Sequence, residues 1–162
     1  MPPDSASDAA DQAGARLHYR ALERLYASAP INSKFASRLS IIEKGVSRLH
    51  FDVSEQDFHA AGAAHGTIYF KMLDDAAFYA ANTLSTDFFL LTTSFNMNFT
   101  KPVRAGEVIA EGRWVSGRRR VFVAESRLID AEGDEIGRGT GTFMRSRIAL
   151  SGLPGYSDQP EP

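Results

Sequence analysis

Apolar side chains recur along this chain with two different periods. From Ala15 to about Ala27, Leu17, Ala21, Leu22 and Leu25 fall at helical spacing, with Arg20 and Arg24 elsewhere on the wheel. This predicts a short amphipathic helix, closed by Pro30, with 31–35 as a connector. Leu39–Val53 is the first predicted strand. Its alternation breaks near Gly45, and a glycine inside a strand often marks a bulge or a close approach. His65–Leu84, HGTIYFKMLDDAAFYAANTL, predicts one long helix with a His-Gly entrance. The period then changes to two. Phe89, Leu91, Phe95, Met97 and Phe99 share one parity of Asp87–Lys101, and Thr92, Ser94, Asn96, Asn98 and Thr100 share the other. Three more strands follow, Glu107–Val115, Arg120–Asp130 and Glu135–Arg147, separated by short glycine-containing turns.

Consecutive strands joined by short turns pair antiparallel. The predicted fold is therefore α+β, one curved antiparallel sheet of about five strands around a long central helix. Residues 1–14 lack large apolar side chains and read as a disordered tail. Residues 15–147 read as a single domain with a short N-terminal helix, and 148–162 as an irregular tail. Gly137, Gly139 and Gly141 stand at spacing two, so a strand presents them on one face. Such a bare stripe suits something bulky lying against it, and Ala76, Ala77, Ala80 and Ala81 of the central helix are the candidates. A weak strand is the alternative. The stripe lacks the strand–loop–helix context of a phosphate-binding loop.

Composition narrows the function classes. The chain has 162 residues, 43% hydrophobic and 23% charged, with a net charge of −2. That suits a soluble globular domain and gives no basic field for nucleic acid. With no cysteine, a disulfide framework, a thiol nucleophile and a cysteine-based zinc site are excluded. No apolar run is long enough to span a membrane, and the N-terminus has no secretory pattern. A cytoplasmic location is expected, as is the absence of a DNA-binding segment.

The two adjacent acids of the central helix are the first candidates for chemistry. Asp74 and Asp75 lie about 100° apart on the wheel. Asp75 follows Lys71 by one turn, suiting a surface ion pair. Asp74 shares an apolar stripe with Phe70, Ala77, Phe78 and Ala81. Burial there would raise its pKa and improve it as a base near neutral pH, whereas a polar face would leave it a plain exposed acid. At the helix entrance the free N–H of Gly66 or Thr67 can hold a carbonyl oxygen, with Gly66 permitting close approach. His59 and His65 with Asp74 would make three metal ligands, but their spacing matches no zinc pattern, so no metal and no cofactor are expected. His65 reads as structural at the helix entrance and His59 as a loop residue lining a site.

The string His59-Ala-Ala-Gly62-Ala-Ala-His65-Gly66-Thr67, with an acid nine positions after His65, resembles the signature of hotdog-fold acyl-CoA thioesterases. The similarity is to the phenylacetate-pathway and 4-hydroxybenzoyl-CoA type, and it extends over about 38–146. It includes Phe99-Thr-Lys-Pro-Val-Arg-Ala-Gly-Glu107 and the final Gly-x-Gly-Thr-Phe strand. The resemblance implies hydrolysis of an acyl-CoA thioester. Asp74 is then general base or nucleophile, the Gly66 N–H polarises the carbonyl, and Thr92 (or Thr93, one register away) assists the water. It also implies a homodimer or homotetramer built by joining sheets, with the site at the dimer interface. Two positions depart from the motif. His59 stands where the family usually has Asn, and Thr67 where it usually has Gly. His59 can take over the Asn role or abolish it. His65, Thr67, Thr93 and the arginines Arg118, Arg119 and Arg120 are candidate substrate contacts. Arginine suits the phosphates of coenzyme A, and Arg145 and Arg147 are further candidates. A non-catalytic acyl-CoA binding or sensing module and a hotdog dehydratase are the competing functions.

Overall fold

The structure, a computed structural model, describes residues 5–157. A long helix α1 (Ser5–Ser28) and a single-turn α2 (Asn32–Phe35) precede the sheet. A hairpin of β1 (Arg38–Glu43) and β2 (Val46–Val53) follows, then the central helix α3 (Gly66–Asn82). Four strands complete the sheet: β3 (Phe88–Phe99), β4 (Gly106–Ser116), β5 (Val121–Ile129) and β6 (Glu135–Ala149). A 3-10 turn and the short α4 (Pro154–Ser157) close the described chain. All six strands form one antiparallel sheet in the order β1-β2-β4-β5-β6-β3, wrapped on α3. This is the α+β architecture expected from the pattern, with one strand more.

The additional strand comes from Gly45. It is not a bulge inside one strand but the turn between two, with φ +79°. Its N–H donates to Thr83 Oγ1 at 2.7 Å and its carbonyl accepts from the Trp114 N–H at 2.8 Å. The hairpin is thereby tied to the end of α3. The N-terminal helix begins at Ser5 rather than Ala15, so the predicted tail is helical from its fifth residue. Ala9, Ala10 and Ala13 favour helix strongly, and a helix docked further along extends cheaply through such residues. The first four residues of that tail, and 158–162 of the C-terminal one, lie outside the described residues. The buried face of α1 is His18, Ala21, Leu22, Leu25 and Tyr26, whereas Leu17 points outward. At the other terminus the expected irregular tail is strand to Ala149 and then two short helical turns.

The central helix is buried on most of its circumference, because the sheet takes one side and Tyr26 and His18 of α1 reach Tyr79 and Asn82 on another. Small residues let it sit close to the sheet. Ser47 Oγ donates to the Ala76 carbonyl at 2.6 Å, and Ser126 Oγ to the Leu73 carbonyl at 2.7 Å. Between them lies Gly112, where a Cβ would come within 2.0 Å of the Ala76 oxygen. The glycine stripe of β6 has a different role. A Cβ at Gly139 or Gly141 would meet the ring of Phe95 on β3 at 2.5–2.6 Å. The bulky group in the stripe is Phe95, not the alanines of α3. Phe95 in turn meets Phe70 of the helix edge-on, with centroids 5.6 Å apart.

The clean alternation of β3 is interrupted. A bulge inserts Thr93 between Thr92, opposite Phe143, and Ser94, opposite Thr142. Before the bulge Leu90 and Thr92 face inward and Leu91 outward; after it, Phe95, Met97 and Phe99 face inward. The apolar parity in the sequence is thus two half-faces. β3 is also an edge strand, paired on one side with β6 only.

Candidate active site

The bulge decides which threonine meets the helix. Thr92 Oγ1 donates to Asp74 Oδ1 at 3.0 Å. Thr93, turned the other way, donates to the Thr142 carbonyl at 3.0 Å. Asp74 is half-buried on α3. Burial pushes its carboxyl up to about 6, with the Asp75 charge adding to the rise. The Thr92 hydrogen bond and the Lys71 charge oppose that rise without cancelling it. The apolar stripe in the sequence therefore has the predicted consequence: a carboxyl that loses its proton close to neutral pH.

Asp75 has a different setting from the surface pair expected of it. It forms an ion pair with Lys71 that is largely shielded, the two side chains being 21% and 12% exposed. Burial raises the Asp75 pKa, and Lys71 opposes the rise. The Lys71 nitrogen lies over the rings of Tyr26 and Phe35, 5.3 and 5.5 Å from their centroids. Asp75 thus ties α3 to the N-terminal segment.

The helix entrance is capped by His65, whose Nδ1 accepts the Thr67 N–H at 3.1 Å, with Thr67 Oγ1 3.0 Å away. The Thr67 N–H is therefore committed. That of Gly66, the first helical residue, has no protein acceptor among the described residues. A free N–H at a helix start suits a polarised carbonyl oxygen. His59 sits in a tight turn of its own. Its N–H donates to the Ala63 carbonyl at 2.9 Å, and its Nδ1 accepts from Ala61 N–H at 3.1 Å. Gly66 and Asp74 are eight residues apart, so at 1.5 Å per residue they are separated by roughly 12 Å along the helix. One copy of the chain brings Asp74 and Thr92 together, but not Gly66, Thr67, His59 or His65 with them.

The arginines Arg118, Arg119 and Arg120 occupy the exposed β4–β5 turn. Arg118 stacks over Trp114, 4.9 Å from its centroid. The Arg120 carbonyl accepts the Arg145 N–H at 2.9 Å. Arg145 itself pairs with Asp87 and lies over Phe88. The turn is at the sheet end near the C-terminus of α3, where Trp114 and Leu84 flank Gly45. Among the described residues no three His, Asp or Glu side chains converge as metal ligands would. No helix there is long and apolar enough to cross a membrane.

Sequence reasoning missed one wall of the site. A cavity of about 260 Å³ opens beside Asp74 and Thr92, and Tyr26, Ala29, Ile31 and Asn32 form part of it. These belong to α1 and the connector after it, and no local pattern marks them as facing an acid more than forty residues away.

Comparison with known proteins bears on the fold and the family. The family model described as the thioesterase superfamily matches residues 61–136, from the loop before α3 to the start of β6. A proposed esterase of Saccharolobus solfataricus is 31% identical over 103 residues, covering 64% of this chain and 69% of that protein. One of Sulfurisphaera tokodaii is 29% identical over 102 residues, covering 63% and 76%. Among solved structures, the Escherichia coli PaaI protein of the phenylacetic acid degradation operon superposes with a TM-score of 0.76 at 15% identity. It covers 83% of this chain and 97% of its own. A thioesterase of Pseudomonas aeruginosa (a Gln-to-Ala mutant) gives 0.70 at 19%, covering 79% and 94%. The sheet wrapped on a central helix is the hotdog fold of these structures, and the chain belongs to the thioesterase superfamily.

Proposed function

We propose that this protein hydrolyses an acyl-CoA thioester to the free acid and coenzyme A. The observation that carries the proposal is Asp74. It is a half-buried carboxyl raised to about 6, hydrogen-bonded to Thr92 at the wall of a cavity. Such a group is largely ionised at neutral pH and basic enough to accept a proton. As general base it takes a proton from water while the water oxygen bonds to the thioester carbon. The carbon–sulfur bond then breaks, and the thiolate of coenzyme A leaves with that proton. Acting as nucleophile, Asp74 would instead bond to the thioester carbon and expel the thiolate of coenzyme A. Water would then open the resulting anhydride to the free acid and the Asp74 carboxylate, its released proton going to the thiolate. Thr92 holds the carboxylate in place, and the Gly66 N–H takes the charge that develops on the carbonyl oxygen.

Because Asp74 and Gly66 of one copy are roughly 12 Å apart, the reaction needs Gly66 of a second copy. The free edge of β3 supports a homodimer joined sheet to sheet, since its unpaired backbone groups can continue the ladder. Phe99 of that strand lies against Gly66, while Thr92 lies against Asp74. An antiparallel β3–β3 pairing centred near Phe95–Asn96 would carry one copy's helix entrance to the other's acid. His65 and Thr67 then shape that entrance, and Arg118, Arg119 and Arg120 are proposed to meet the phosphates of coenzyme A.

The test is thiol release from a panel of short, medium, long and aryl acyl-CoA thioesters by the wild type and Asp74→Ala. Release that is lost in the folded variant supports the proposal. Equal release from both refutes Asp74 as the central group. A second reading, a non-catalytic acyl-CoA binding module, is favoured by His59. At the position where the resemblance expects Asn, its Nδ1 is occupied by its own turn. Thermal stabilisation by acyl-CoA without any thiol release would establish that reading instead.

A further inference from the structure

Two cavities lie next to one another on the side of the fold that carries Asp74. The first, about 260 Å³, is bounded by Asp74 and Thr92 at one end and by Phe78 on its wall. The second, about 500 Å³, is lined mainly by apolar side chains, among them Leu25, Pro30, Ile148 and Leu153. Ala29, Tyr79 and Phe89 line both and border the two. The second cavity lies between the end of α1 and the C-terminal turns, and apart from Tyr79 and Phe89 its lining falls outside residues 61–136, which the family model matches. A path that starts at a carboxylate and becomes steadily more apolar suits a molecule with one reactive polar end and a long hydrocarbon tail.

Resting on the hydrolase reading above, we propose that the substrate carries a long unbranched acyl chain. Its first carbons fill the cavity at Asp74, and the remainder passes Ala29 and Phe89 into the second cavity. The aryl or short acyl groups that fit the first cavity alone would leave the second unused. Burial of each further methylene past that border favours binding, so specificity rises with chain length until the second cavity is full. The elements that select the chain are then the N-terminal helix, the connector after it and the C-terminal turns. These elements lie outside residues 61–136, which the family model matches.

Ala29 is the position to alter, because it lines both cavities and a large side chain there narrows the passage between them. Leu153→Asp places a charge in the second cavity and gives an independent variant should Ala29→Phe fold poorly. Thiol release and direct binding are measured for acetyl-, hexanoyl- and lauroyl-CoA (below its micellar concentration), with melting temperature as the folding control. For the wild type, kcat/KM is expected to rise from acetyl to lauroyl. In either folded variant the lauroyl-to-hexanoyl ratio is expected to fall at least tenfold. Release that is independent of chain length, or a ratio that neither variant changes, overturns the proposal while leaving hydrolysis standing. If no thioester is cleaved, the hydrolase reading fails and the binding data decide. Tighter binding of lauroyl- than acetyl-CoA that either variant abolishes supports the two-cavity path, and equal binding overturns it.

Discussion

Gly66 offers a way to delete one hydrogen-bond donor while leaving the fold in place. It is the first residue of α3, the helical position at which proline is best tolerated, since the N–H there has no partner in the helix. The preceding residue suits proline as well. His65 has φ −66° and ψ 147°, within the extended region that proline requires before it. Space is available, because a Cβ at Gly66 would find Phe99 Cζ at an ordinary 3.6 Å. Gly66→Pro therefore removes the N–H, whereas Gly66→Ala retains it. Both restrict the unfolded chain and are expected to keep or raise stability, by roughly 0.4–1 kcal/mol where the backbone is compatible. If that N–H holds the carbonyl oxygen in the transition state, its loss costs about 100- to 1000-fold in kcat, or roughly 3–4 kcal/mol. Thiol release is expected to fall by that factor in Gly66→Pro and to stay within a few-fold of wild type in Gly66→Ala. Mixing Gly66→Pro with Asp74→Ala chains extends the experiment. In a symmetric dimer with sites shared between copies, random mixing leaves about a quarter of the sites with both groups intact. Activity is expected to return to about that level. Equal activity of the proline and alanine variants would refute the role of the N–H, and mixtures that stay inactive would refute the shared site.

The remaining expectations concern protons and packing. Only ionised Asp74 can accept a proton, so kcat/KM is expected to rise with pH through about 6 and level off above 7, and Thr92→Val to move that limb higher. The same carboxyl lies above its ordinary 3.8 in the folded state, so it destabilises the fold as pH climbs through that window. The difference corresponds to about 3 kcal/mol, and Asp74→Asn should gain up to that in urea unfolding at pH 8 and little at pH 4. Lys71→Met strips the shielded Asp75 of its cation and is expected to cost about 3–5 kcal/mol at pH 7. The cost should shrink toward pH 4, where the already raised Asp75 takes up a proton. Gly112→Ala drives a methyl against the backbone of α3, where nothing flexible can yield. A loss of about 3 kcal/mol is expected, roughly 6–12 °C in Tm, together with reduced thiol release as α3 shifts from Thr92.

Much of this was legible along the chain because it depends on near neighbours. Helical and strand periods, the His-Gly start of α3 and the apolar stripe around Asp74 are local patterns, and each has its counterpart in the structure. The spacing from His65 to Asp74 carried the family because a helix converts spacing into geometry. What local pattern could not convey were relations between distant residues. Leu17 and His18 both suit a helix face, and only docking against Asn82 and Tyr156 turned the polar one inward, with hydrogen bonds to both. Gly45 interrupts alternation whether it bulges or turns, and its partners Thr83 and Trp114 decided for the turn.

The sequence by itself determined the central helix, the four strands after it and their order, the acid in the middle of α3 and the family signature, since these follow from periodicity and spacing within single elements. The tertiary structure alone decided two further things. The bulge at Thr93 selected Thr92 as the partner of Asp74. The residues after α1 came to line the cavity next to that acid. Each arises where strand, helix and terminal segment meet in space, and the energy of such a contact is written in no single stretch of residues.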